Sequence, residues 1–175
     1  MTVIDHQATA ASWIHRGGAS VTPGGQAHLA PGVLSRRPAL VRATRRFDVP
    51  AERIFAAWLD PQIAGHWLFA TSSQPAHCVA IDARVGGWFR FEERRAHESV
   101  PHIGEYIEIA PCRRLVFTLS VEKHPQVITR VIVDIAPAAG GCELALQHVN
   151  VPQARADFLE ARWTGMLYGL AQLLG

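Results

Sequence analysis

Along residues 151–174, Leu159, Trp163, Leu167, Leu170 and Leu174 recur at spacings of three and four, with Met166 and Leu173 beside them. On a helix of 3.6 residues per turn these positions form one apolar stripe. Pro152 stands where a helix tolerates proline, in its first turn, and no proline follows. Arg155, Asp157, Glu160 and Gln172 fall largely off the stripe. Large side chains such as the five in the stripe are each worth about 1.5–3 kcal/mol when fully buried, an upper total of roughly 7–15 kcal/mol. That is comparable to the net stability of a whole domain. The chain must therefore fold a surface for this helix to lie on. Gly165 interrupts the helix at a cost of about 1 kcal/mol relative to alanine, which predicts close approach of another backbone or a ligand.

The middle of the chain supplies the surface. Leu40–Phe47 reads as a first strand, broken at Val49-Pro50. Ala51–Leu59 reads as a short helix with Ile54, Phe55 and Trp58 on one face. Asp60-Pro61 ends it, and Pro61 opens a second short helix toward His66-Trp67. The pattern then switches to period two. Strands are expected over 78–82, 88–95, 102–109, 115–121, 126–135 and 142–149, with hairpin signals at Val85-Gly86-Gly87 and Ala139-Gly140-Gly141. Consecutive strands with short turns imply an antiparallel meander.

Alternation assigns Phe89, Phe91 and Glu93 to the inner face, followed by Ile103, Glu105 and Ile107 on the next strand. Leu115, Phe117 and Leu119 come next, then Thr129, Val131 and Val133, and last Leu144, Leu146 and His148. Arg90, Glu92, Arg130, Asp134, Glu143 and Gln147 point outward. One side of the sheet is apolar, and the last helix is its cover.

Residues 1–37 read differently. Gly17-Gly18, Pro23-Gly24-Gly25 and Pro31-Gly32 punctuate small and polar residues, so this is an N-terminal extension, flexible or loosely docked. The alternative is an arm anchored by Trp13. The domain itself is expected over 38–175. A net charge of +2 is too small to argue for nucleic acid. No apolar run approaches the roughly 18 residues of a membrane span, and no secretory leader is visible at the N-terminus. Three scattered cysteines, Cys78, Cys112 and Cys142, disfavour a disulfide framework and fit a reducing cytoplasm.

Strand, two short helices, six-strand meander and long C-terminal helix is the order of the helix-grip fold. The chain resembles the SRPBCC (START-like, polyketide cyclase-like) superfamily, and within it the bacterial heat-shock-protein-90 ATPase-activator homologue-like domains. The resemblance is carried by the stretch Arg45 to Phe55 (RRFDVPAERIF), by Ala57-Trp58-Leu59-Asp60-Pro61 and by Trp67. It continues through Asp82 to Gly87 (DARVGG), Gly104 to Pro111 (GEYIEIAP), Arg114 to Thr118 (RLVFT) and Trp163 to Leu167 (WTGML). Where family members often carry Trp-Trp this chain has His66-Trp67, and where they carry Gly-Trp it has Arg162-Trp163. The resemblance implies an α+β fold, a curved antiparallel sheet wrapped around the long C-terminal helix, with an apolar cavity between them. It implies a hydrophobic small-molecule ligand, lipid-, polyketide- or aromatic-like.

The residues give partial support of their own. Glu93, Glu105, Thr129 and His148 fall on the inner face among Phe and Ile, where polar groups are costly unless paired. A concave apolar pocket with a few polar groups is what small-molecule sites look like; the bland alternative is that Glu93 and His148 sit at wet strand ends. The expected ligand contacts are Trp67, Phe89, Phe91, Glu93, Glu105, Phe117, Thr129, His148, Trp163, Met166 and Leu167, with space left open beside Gly165. His148 with Glu93 or Glu105 offers acid–base chemistry of a cyclase, lyase or hydrolase kind. No nucleophile–base–orienter set has an informative spacing, so no catalytic residue is assigned. His66, His77, Cys78, His97 and His102 do not make a metal site: in a strand, the adjacent His77 and Cys78 point to opposite faces. Gly86-Gly87 leads into a strand and is no phosphate loop. No cofactor is expected. A chaperone-associated role stays a second alternative, and a homodimer stays open.

Overall fold

The computed structural model describes residues 37–175, apart from 71–74 and 96. The expected extension, with Trp13, lies outside the described residues save for Arg37.

Alternating apolar positions build seven strands: β1 (Ala39–Phe47), β2 (His77–Ile81), β3 (Trp88–Arg94), β4 (Ser99–Ala110), β5 (Arg114–Val121), β6 (Thr129–Ala138) and β7 (Gly141–Val151). They form one antiparallel, unclosed sheet in the order β1-β7-β6-β5-β4-β3-β2. Two short helices, α1 (Ala51–Leu59) and α2 (Pro61–Ala64), follow β1, and α3 (Ala156–Leu174) closes the chain. This is the helix-grip α+β fold expected from the sequence.

The joint between α1 and α2 follows from its residues. The Asp60 side chain accepts the Gln62 N–H at 2.9 Å, and Pro61 sits in the first turn, where its missing N–H costs nothing. The Trp67 indole N–H donates to the Ala57 carbonyl at 3.0 Å, and its ring meets Trp58 edge-on at 4.7 Å between centroids. Ile54, Phe55 and Trp58 are all buried, as the helical spacing requires.

The stripe on α3 is buried through Trp163, Met166, Leu167 and Leu170, while Leu159 and Leu174 lie at its half-buried ends and Leu173 is exposed. The facing sheet contributes Leu115, Val131, Val133, Leu144 and Leu146, each at most 1% exposed. Val151 ends β7, and a short helical turn, Gln153–Arg155, separates it from α3. The continuous helix expected from Val151 therefore begins five residues later.

Two further expectations fail, for identifiable reasons. On β4 the inner face is Val100, His102, Gly104 and Tyr106, not Ile103, Glu105 and Ile107. Phe91 pairs directly with His102 and Phe89 with Gly104, so partners of inward residues are inward, while Glu105 pairs with the exposed Trp88. A one-residue shift of parity exchanges the faces of a whole strand. The misleading signal is Gly104. The Phe89 ring and the Thr118 carbonyl occupy the space where a side chain there would go, so the true inner set looks less apolar than the outer one. Gly165, in turn, has no packed neighbour: among the described residues nothing lies within 4 Å of where its side chain would project.

Leu167 is 1% exposed. Leu167→Asp should abolish the cooperative thermal transition in circular dichroism, since an unpaired buried charge costs several kcal/mol. Gly165→Ala should instead raise stability by up to about 1 kcal/mol, since helix propensity alone is at stake there. A Gly165→Ala chain that melts lower than the native one would show an unseen neighbour at that position.

Candidate functional site

The inner wall of the sheet carries polar groups in two clusters. The first begins at His148 on β7, only 2% exposed among apolar neighbours. The Trp163 indole N–H donates to His148 Nδ1 at 3.0 Å. His148 Nε2 meets the Thr129 hydroxyl at 2.7 Å, and that hydroxyl donates to the Leu119 carbonyl at 2.8 Å. An indole N–H can only donate and a carbonyl can only accept, so every hydrogen in the line is placed. Nδ1 must carry the lone pair, and Nε2 must carry the proton that Thr129 accepts. The line runs Trp163 to His148 to Thr129 to Leu119, joining α3, β7, β6 and β5. Burial pushes the His148 imidazole down to about 4, so it is neutral near pH 7.

The second cluster surrounds Glu93 on β3, 4% exposed. Arg162 of α3 donates to both its oxygens, at 3.0 Å and 2.9 Å. Arg95 donates at 3.1 Å and His102 Nε2 at 2.9 Å. Burial by itself raises the carboxyl, but the hydrogen bonds from His102, Arg162 and Arg95 outweigh it and hold Glu93 well below the usual carboxylate range. Burial lowers His102, and the charges of Arg162 and Arg95 lower it further against the pull of Glu93. His102 is thus a neutral donor. Its ring stacks on Phe69 at 4.0 Å and 7° between planes. Phe69 has a positive φ of 57°, rare for a bulky residue, and its N–H points at Met166 Sδ, 3.3 Å away.

A cavity of about 320 Å³ opens between the two clusters, under the first half of α3. Leu119, Val121, Val127, Leu159 and Met166 give it apolar walls, together with Phe69 and Trp163. Pro152, Arg155 and Phe158, all exposed, stand at its mouth.

Of the residues expected to contact a ligand, Thr129, His148, Trp163 and Met166 line this cavity. Glu93 sits behind it, bonded to three residues that do line it. Trp67, Phe89, Phe91, Phe117 and Leu167 belong to the packed core instead. The Phe117 ring is enclosed by Trp58, Phe89 and Tyr106. Glu105 is exposed on the outer side of the sheet, beside Trp88 and Ile128. The pairing of His148 with Glu93 or Glu105 is not made: both imidazole nitrogens are engaged, and Glu93 is held by His102, Arg95 and Arg162. The residues that sequence reasoning missed are Phe69, Arg95, His102 and Arg162. Arg162 had a signal, its place before Trp163 where family members carry glycine. Phe69 had none, because its position rests on a backbone conformation outside any periodic element.

Among the described residues no three His, Cys, Asp or Glu side chains converge as a metal group, and no helix is long and apolar enough to cross a membrane.

Residues 48–175 match the family model described as Activator of Hsp90 ATPase homolog 1-like protein. No curated protein matches the chain significantly. Among solved structures, a protein of Chromobacterium violaceum is 25% identical with a TM-score of 0.68, covering 77% of this chain and 95% of that one. One from Rhodobacter sphaeroides is 21% identical with a TM-score of 0.66, covering 77% and 91%. A Staphylococcus aureus protein of unknown function is 11% identical with a TM-score of 0.71, covering 79% and 94%. The last two show the fold alone.

The neutral His148 makes stability depend on pH. An unfolded histidine titrates near 6.5, whereas the folded one titrates at about 4. Below pH 6.5 the unfolded chain takes up a proton that the folded chain refuses, so stability falls as pH falls toward 4. Urea unfolding at pH 5 should show a loss of about 2 kcal/mol from this residue relative to pH 7, with His102 adding in the same direction. His148→Gln can keep both hydrogen bonds without titrating, and should remove that part of the slope. Equal slopes in native and variant chains would place the effect elsewhere.

Proposed function

The chain belongs to the Activator of Hsp90 ATPase homolog 1-like family of the SRPBCC superfamily, and from that premise we propose that it binds a hydrophobic small molecule in the cavity under α3. The supporting observation is the cavity's wall. Large core residues fill the rest of the space between helix and sheet, yet about 320 Å³ remains unfilled beside Met166 and Leu159. Unfilled apolar volume costs stability, because its lining loses contacts. The polar groups on the wall do not demand a ligand's hydrogen bonds: Trp163, His148 and Thr129 satisfy one another. An apolar body can therefore enter without leaving a buried donor or acceptor unpaired. The volume lies at the small end of ligand sites, which run from roughly 300 to 1,000 Å³.

An acid–base enzyme acting through His148 has less support, since that imidazole has no free nitrogen. The chaperone activity in the family's description does not come with the fold, because function resides in sites grafted onto it.

Nile red, a neutral apolar fluorophore, should bind saturably and stabilise the fold by mass action, by about 2.7 kcal/mol at a hundredfold excess over Kd, so that the melting temperature rises. Val127 is 41% exposed and lines the cavity. Val127→Trp should fill the space, weaken the dye severalfold and leave the melting temperature of the free chain nearly unchanged. Gly165→Leu, on the open face of α3, should leave dye binding as it was. Absence of saturable binding in the native chain would sink the proposal.

A further inference from the structure

We infer that the cavity takes an amphipathic acid, its apolar body under α3 and a single oxyanion head at the arginine end; this rests on the binding function proposed above and names the ligand's class. Three arginines line the cavity, Arg95, Arg155 and Arg162, and among the described residues no Asp or Glu lines it. Glu93, just behind, neutralises one of them: it takes both terminal nitrogens of Arg162 and one of Arg95. Three positive charges less one leaves a formal +2 on the cavity's lining. Glu98 approaches Arg95 at 3.8 Å but is itself paired with Lys123, so those two cancel.

The distribution of partners decides where a head would bind. Arg162 has spent its fork on Glu93 and is held in place. Arg155 has no side-chain partner among the described residues, and it stands at the mouth beside Pro152 and Phe158. Arg95 keeps donors beyond the one given to Glu93. A carboxylate placed between Arg155 and Arg95 meets charge-assisted donors. The apolar walls behind it lower the local dielectric and strengthen the attraction. An ammonium head would meet net repulsion at the same place. An uncharged ligand would leave Arg155 as it is, a solvated rim charge of little worth.

The test uses three ten-carbon probes, decanoate, decanol and decylamine, titrated calorimetrically into the full chain at low salt. Decanoate should bind at least about tenfold tighter than decanol, as charge-assisted hydrogen bonds imply, with decylamine weakest. Added salt should weaken decanoate alone. Arg155→Gln, at an exposed position that the fold does not need, should reduce decanoate affinity about tenfold and change decanol less than twofold. Equal binding of decanoate and decanol by the native chain overturns the acid head while leaving the apolar site standing. A decanoate preference that survives both Arg155→Gln and Arg95→Gln overturns the assignment to these arginines. Failure of all three probes overturns the inference together with the binding function beneath it.

Discussion

A buried tryptophan makes two demands at once: apolar neighbours for its ring and an acceptor for its N–H. Trp163 meets the first with Trp58 and Phe69, each 6.3 Å away between centroids. The second is met on the sheet beneath it. The acceptor is a side chain, His148, and an imidazole accepts on one nitrogen at this pH only if it donates from the other. The Thr129 hydroxyl accepts that hydrogen bond and donates its own to the Leu119 carbonyl. Burial of the stripe is non-directional and would tolerate some rotation of α3. This line of hydrogen bonds does not, and so it sets the helix's rotation over the sheet. Arg162, the next residue back, adds an ionic tie to Glu93 on β3. Two consecutive residues thus fasten the helix to opposite regions of the sheet, one by neutral and one by charged contacts, and the cavity is the space between the two fastenings.

Most of the fold was legible because it is periodic. Alternation found the inner faces of β3, β5, β6 and β7, and the stripe on α3 found its buried side. The failures came where a position's role is decided by its neighbour and not by its own hydropathy. Gly104 on the inner face is a glycine because the Phe89 ring and the Thr118 carbonyl occupy the room a side chain would need, and no reading of one strand alone reveals that. Gly165 shows the reverse: a glycine on a helix invites a packing explanation, and here nothing among the described residues packs against it. The site was half legible for the same reason. Thr129, His148, Trp163 and Met166 sit on regular elements and could be placed by counting. Phe69 and Arg95 lie beyond element ends, and His102 shared the parity error of β4.

Glu93 illustrates how a buried charge is retained. Its desolvation is met by three donors, and removing any one would leave a carboxylate short of partners in an apolar surround. His102 stays neutral although it touches a carboxylate, because its burial, helped by the charges of Arg162 and Arg95, outweighs the pull of Glu93. Arg162 supplies the ionic tie to Glu93, and Arg95 and Arg155 supply the excess positive charge on the cavity's lining.

The order of strands carries a consequence for how the molecule is made. Among the described residues β1 has one strand partner, β7, and its Ala39 pairs with Val151, most of the domain's length away along the chain. As a chain leaves the ribosome, the meander from β2 to β7 can grow by adding each hairpin to the last, through contacts that are close in sequence. β1 must wait, with its backbone donors unpaired, until β7 has emerged and a long loop has been closed at an entropic cost that later contacts repay. The stripe of α3 arrives later still. The domain therefore acquires its first strand only once the meander is complete, and its helical lid after that.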